Sequence, residues 1–161
     1  MPIRNLSDAQ NLLQKGQKYM GLDVGKKSIG IAIGDPSHSI ASPHRILWRR
    51  KFASDMADLF AEMDDLSVGG LIVGWPLNMD GTTGPRCDST RDFCYALMKL
   101  RDVPVILHDE RLSTAAVERT MIQADLTRKT RHEKRDALAA SWILQSAFDR
   151  IAFGFHEQDE S

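Results

Sequence analysis

Three acidic residues stand in positions where a carboxylate needs a reason to be. Asp23 lies in the middle of an apolar stretch, Tyr19 to Gly25, although aspartate is depleted in strands. Strand alternation puts Met20, Leu22 and Val24 on one face and Gly21, Asp23 and Gly25 on the other. The following stretch repeats the pattern, with Ile29, Ile31 and Ile33 opposed to Gly30, Ala32 and Gly34. One face of this pair is nearly bare except for a carboxylate. Burying that charge unpaired would cost several kcal/mol, so it calls for a metal, a cation or a proton. The neighbouring glycines leave room for a ligand or for another stretch of backbone. Asp136 is the second case. Its helical neighbours at i+3, i+4, i+7, i+8 and i+11 are Ala139, Ala140, Ile143, Leu144 and Ala147, so it lies on the stripe that faces a core. The third acid follows the apolar run Val105 to His108, where ligands gather at strand ends. Glu110 and Asp109 compete for that role, because alternation sends neighbours to opposite faces.

Three hard carboxylates without a matching Cys/His set suit Mg2+ or Mn2+ rather than zinc. Two such ions about 4 Å apart activate water and stabilise the leaving oxygen of a phosphodiester. The charge pattern fits such a substrate. The net charge is only −1, but His44 to Lys51 holds Arg45, Arg49, Arg50 and Lys51 with no acid. Arg128 to Arg135 holds five cations against Glu133 alone. Localised basic segments on a near-neutral chain fit contact with a phosphate backbone.

The elements that position these residues follow from periodicity. Tyr19–Gly25 and Ser28–Gly34 read as strands joined by a tight Lys26-Lys27 turn, with a third strand over Pro43–Trp48 in an antiparallel meander. Phe52–Leu66 has helical spacing of Phe52, Met56, Leu59, Phe60 and Met63. Gly69–Trp75 is a buried strand, followed by a loop to Pro85 and a helix to about Leu100. Val103–His108 is a further buried strand. Ser113 opens a helix to about Gln123, and Thr130-Arg131-His132-Glu133 is a capping box for a helix to about Ile151. A capping box at Ser7 predicts a short N-terminal helix to about Lys15, taken as an appendage. This order implies an α/β fold, a mixed five-stranded sheet with its first three strands antiparallel and helices on both faces. The expected organisation is an extension at 1–17, one domain at 18–151 and an acidic tail at 152–161.

A length of 161 residues suits one domain with a real core and is tight for two. No apolar run reaches the ~20 residues of a membrane span, and Met1 to Lys18 has no signal-peptide h-region, so a cytoplasmic location is expected. Cys87 and Cys94 are seven apart on one predicted helix, roughly 10 Å along its axis, which excludes a disulfide between them.

Four segments occur in an order that resembles a known family. They are Gly21-Leu22-Asp23-Val24-Gly25-Lys26-Lys27-Ser28-Ile29-Gly30, Val73-Gly74-Trp75-Pro76-Leu77-Asn78-Met79-Asp80-Gly81, Asp109-Glu110-Arg111-Leu112-Ser113-Thr114 and Lys134-Arg135-Asp136-Ala137-Leu138-Ala139-Ala140. The chain resembles, over about Lys18 to Arg150, the YqgF family of pre-16S rRNA nucleases, also described as Holliday junction resolvase-like. The resemblance implies an RNase H-like fold and puts the catalytic, metal-binding acids at Asp23, Glu110 and Asp136. It places Lys26, Lys27, Asn78, Arg111, Lys134 and Arg135 near the substrate. An RNA precursor is the implied partner, with branched DNA as the alternative, and the chain would act as a monomer or a homodimer. The glycine that usually precedes the last acid is absent here, and Trp75 replaces a smaller apolar residue. Trp75 reads as packing, or as a base-stacking residue if exposed. An actin-like phosphotransferase or ATPase is an alternative that the length and the lack of a Walker A spacing argue against, and that detectable ATP turnover would revive. A non-catalytic nucleic-acid-binding module of the same fold is the remaining competitor.

Overall fold

The computed structural model describes residues 3–77, 80–109 and 128–153; for 128–136 and 153 it describes the course of the backbone only. A 3-10 turn at Leu6–Asp8 runs into helix α1, Ala9–Leu12. Strands β1 (Lys18–Val24), β2 (Ser28–Gly34) and β3 (Ala41–Trp48) follow, then helix α2 (Phe52–Asp65) and strand β4 (Val68–Trp75). Helix α3 (Pro85–Leu100), strand β5 (Val105–Asp109) and helix α4 (Arg128–Phe153) complete the described elements.

The five strands form one sheet in the order β3-β2-β1-β4-β5. β1 pairs antiparallel with β2, and β2 with β3. β1 pairs in parallel with β4, and β4 with β5. The α/β reading and the antiparallel meander are therefore present as expected. So are helices on both faces.

Alternation along each strand divides the apolar residues between two layers. Met20, Leu22, Val24, Ile29, Ile31 and Val73 pack with Met56, Leu59 and Met63 of α2 and Phe93, Cys94 and Leu97 of α3. Tyr19, Ala32, Ile72 and Ile106 face the other way, against Ala140, Ile143, Leu144, Ala147 and Phe148 of α4. Helix α2 has no side-chain cap at Lys51; instead the buried carboxylate of Asp55 accepts a hydrogen bond from the Arg50 amide at 2.9 Å. Pro85 occupies the first turn of α3, where its missing N–H is no loss.

The glycines on the α4 face have a packing role at two positions. A Cβ at Gly21 would lie 2.9 Å from the Ala140 carbonyl and 2.9 Å from the Leu144 Cβ. A Cβ at Gly34 would run into the Phe148 ring. The bare face of the hairpin is bare because α4 lies directly on it.

The N-terminal segment differs from its sequence reading. Ser7 sits inside the 3-10 turn rather than capping a helix, and α1 ends at Leu12. The segment is also tied to the sheet. The Tyr19 hydroxyl donates to the Ala9 carbonyl, and the Arg4 amide donates to the Val105 carbonyl at 2.7 Å. Thr130 likewise falls within α4, which already includes Arg128. The helix expected over 113–123 lies outside the described residues.

Candidate functional site

The parallel strands β1, β4 and β5 run in the same direction, so their carboxyl ends share one edge of the sheet. Asp23 is the penultimate residue of β1, half-buried, with Gly30 of β2 as its pairing partner. It shares a face with Tyr19 and Gly21, the face covered by α4. Helix α4 runs antiparallel to β1. Phe148 packs over Gly34 beside the start of β1, and Ala140 and Leu144 pack over Gly21 further along. From that last contact, Asp23 lies two residues onward along the strand, about 6.6 Å. Position 136 lies one helical turn before Ala140, about 6 Å in the same direction. The backbone thus brings positions 23 and 136 to the same end of the sheet; the Asp136 side chain is outside the described residues.

The competition between Asp109 and Glu110 is narrowed by the register of β5. Ile106 belongs to the α4 layer, and His108 faces the same way, its Nε2 3.0 Å from the Ser146 hydroxyl of α4. Val105 and Leu107 pack on the opposite layer. Asp109 falls in line with these, on the face away from Asp23. Glu110 lies outside the described residues, as do Asn78 and Arg111. Nothing in the spacing of the sequence singles out His108; the strand register does. Burial lowers its imidazole pKa from the ordinary 6.5, an effect that the neighbouring Asp109 carboxylate opposes.

The basic segment at 44–51 divides in two. His44 and Arg45 are both engaged by Glu62 of α2, so the Arg45 guanidinium is taken up within the fold. Its pKa is raised, chiefly by that hydrogen bond to Glu62. Arg49 turns back on the β1–β2 turn. Its Nη1 donates to the Gly25 carbonyl at 2.7 Å and its amide to the Lys27 carbonyl at 2.8 Å, while the guanidinium lies 5.5 Å from the Phe93 ring centroid. Lys26, Lys27, Arg50 and Lys51 are exposed at this edge. Lys134 and Arg135 lie on α4 with side chains outside the described residues. Trp75 packs. Alternation puts it on the α2–α3 face, and the Arg91 guanidinium of α3 lies 5.7 Å from its ring centroid. Cys87 and Cys94 are both free and buried, and burial pushes the Cys94 thiol up to about 12.

Among the described residues no three metal-ligating side chains come together. Asp23 is the one of the three predicted acids whose side chain is described. As a hard oxygen donor at a strand end it fits a divalent cation.

Residues 17–150 match the family model described as RuvX: Holliday junction resolvase. The chain belongs to this family. A relative from Rhodospirillum centenum is 46% identical over 159 residues, covering 96% of this chain and 85% of the relative. One from Paramagnetospirillum magneticum is 46% identical and covers 92% and 96%. One from Rhodobacter capsulatus is 49% identical and covers 82% and 83%. All three carry the name "Putative pre-16S rRNA nuclease". Among solved structures, Thermus thermophilus RuvC in complex with a Holliday junction substrate aligns with a TM-score of 0.53 at 12% identity, over 84% of this chain and 96% of that one. That likeness shows the fold, an RNase H-like sheet of the RuvC kind. No described helix is long and apolar enough to cross a membrane.

Proposed function

We propose that this chain is a metal-dependent nuclease that hydrolyses phosphodiester bonds in a precursor of 16S ribosomal RNA. The observation that carries the reading is Asp23: a half-buried carboxylate at the carboxyl end of a central strand, on the face where α4 carries position 136 to the same level. Asp23, Glu110 and Asp136 would hold Mg2+ or Mn2+. Such ions, bound as a pair, lower the pKa of an attacking water and offset charge on the leaving oxygen. Water adds to phosphorus, the P–O bond to the leaving nucleotide breaks, and that oxygen takes up a proton. The protein's own task is to fix the strand. Lys26 and Lys27 supply exposed charge beside β1, and Asn78, Arg111, Lys134 and Arg135 are assigned to substrate contact from the family motifs. Glu110 is taken as the third acid; the alternation of β5, which turns Asp109 toward the α2–α3 layer, supports that reading over Asp109. The catalytic domain is residues 18–151, and it would work in the cytoplasm.

RNA is preferred over DNA because the relatives at 46–49% identity carry the rRNA name, whereas the likeness to RuvC rests on 12%. The family description keeps one second reading in play: cleavage of a four-way DNA junction, which needs two copies to cut two strands. The test presents pre-rRNA and four-way junctions to the protein with Mg2+, Mn2+ or EDTA, beside Asp23→Asn and Asp136→Asn. Metal-dependent cutting of the RNA that both variants lose is the expected result. Cutting that survives in both variants, or no cutting of any substrate, sinks the mechanism; preference for the junction replaces the substrate.

A further inference from the structure

Trp48 is the last residue of β3 and is 60% exposed. Tryptophan is usually well buried, and a lone exposed one is no evidence of a site. Its surroundings distinguish this one. Trp48 pairs with Ser28 and Ile46 pairs with Gly30, while Gly30 pairs with Asp23. Directly opposed residues share a face, so Trp48 stands on the same face of the sheet as Asp23. It lies two strands across and one row nearer the edge, about 12 Å away by strand spacing and rise. Gly30 and Ser28, both small, lie between them. Arg49 clamps this corner to the β1–β2 turn through the Gly25 and Lys27 carbonyls. Lys26 and Lys27, just before Ser28, the partner of Trp48, and Arg50 and Lys51, just after Trp48 in the chain, are all exposed at this corner. Asp55, early in α2, is buried and bonded to the Arg50 amide. Among the described residues no ring or guanidinium stacks on Trp48.

We propose that Trp48 is a stacking platform for an unpaired nucleobase, held there by backbone phosphates on the surrounding lysines and arginines. The inference deepens the nuclease reading above and rests on nucleic acid being the substrate. An indole offers a π-face that any base accepts, and neighbouring cations neutralise the backbone on either side. A span of about 12 Å corresponds to roughly three nucleotides of stacked strand. Trp48 would therefore require single-stranded character a few nucleotides from the bond that is cut. It makes the enzyme one for tailed or looped strands rather than for continuous duplex.

The experiment uses the full chain with Trp75→Phe and Trp142→Phe, so that Trp48 alone emits. It is titrated in EDTA with an RNA hairpin carrying a 5′ or a 3′ single-stranded tail, and with the same hairpin blunt. A tailed hairpin should quench Trp48 emission and bind more tightly than the blunt one. Trp48→Ala should weaken tailed binding at least about fivefold and leave blunt binding unchanged, while Trp48→Phe keeps most of the preference. Equal effects of Trp48→Ala on both RNAs, or none on either, would overturn the proposal. Cleavage with added metal is scored separately. A protein that cuts RNA but shows no tail preference through Trp48 loses this proposal alone. One that shows the preference but never cuts loses the nuclease reading alone.

Discussion

Replacing Gly21 by alanine tests how α4 is held over the site. The new Cβ would stand 2.9 Å from the Ala140 carbonyl oxygen and 2.9 Å from the Leu144 Cβ, where ordinary contact begins at 3.4 Å. One obstacle is backbone and the other is the root of a side chain, so neither can swing aside. The helix must lift by about 0.5 Å at this point. Overpacking of this kind costs about 1–3 kcal/mol. In a domain of this size each kcal/mol lowers Tm by about 2–4 °C. Position 136 lies one turn from the lifted residue. A misplacement of about 1 Å costs about a hundredfold, so a shift of half that costs about tenfold on the same logarithmic scale. The variant should therefore lose about tenfold in kcat at a temperature where it is fully folded. Gly34→Ala is the control. Its Cβ meets the outer atoms of the Phe148 ring, far along α4 from position 136, so it should lower Tm and spare kcat. Thermal unfolding and metal-dependent cleavage are measured on both variants. A Gly21→Ala protein with unchanged Tm would refute the close packing. One with lowered Tm and full kcat would refute the claim that this contact sets the site.

Asp23→Asn should reduce cleavage at least about a hundredfold, since even supporting partners of metal ligands are worth 10–100-fold, while RNA binding measured in EDTA does not weaken. Tyr19→Phe leaves the buried Ala9 carbonyl without its donor, so the urea midpoint should fall by the equivalent of about 1–2 kcal/mol with unchanged m; a midpoint equal to the native one would show that bond to be idle. His38 packs between Tyr19 and Phe148, and burial lowers its imidazole pKa from 6.5. The unfolded chain then binds the proton first, so this contribution to stability is full above pH 6.5 and is lost as pH falls below it. His38→Asn suits the left-handed backbone there (φ 56°) and should flatten the acid side of a midpoint-against-pH curve; an unaltered slope would exclude His38 as its source.

The strands and long helices were legible because period-2 and helical patterns are written into which side chains are apolar. Ser28–Gly34 and Pro85–Leu100 coincide with their sequence bounds. The departures have local causes. β5 begins at Val105 rather than Val103 because the chain enters the sheet through Pro104, whose carbonyl accepts from the Leu71 amide while its own nitrogen has no hydrogen to give. At the N-terminus the Ser7 pattern lost to the apolar residues around it. Leu6 and Ala9 are drawn into the α4 layer, and the chain tightens into a 3-10 turn to reach it. A capping box is a weak local preference, and burial outweighs it.

The site was legible in part for the same reason. An aspartate on a strand face made, beyond Tyr19, of glycines and alanine announces that something large must approach, but not whether it is a ligand or backbone. The structure divides that face along its length. Gly21 and Gly34 admit α4, and Asp23 lies beyond them at the strand end, where the helix contact is passing toward its N-terminal turns. Room for a helix and a place for a carboxylate are two consequences of one glycine pattern. The choice between Asp109 and Glu110 could not be made from spacing, because alternation needs a fixed starting face. His108 supplies a starting face for Asp109: with its ring bonded to Ser146 of α4, the neighbouring Asp109 falls on the α2–α3 face. The basic segments show the limit of reading charge alone. Arg45 and Arg49 look alike in sequence, yet one is taken by Glu62 and the other braces the turn that carries Lys26 and Lys27. Free charge at this edge of the sheet is therefore set by which arginines the fold consumes, and the lysines that remain exposed flank the strand bearing Asp23.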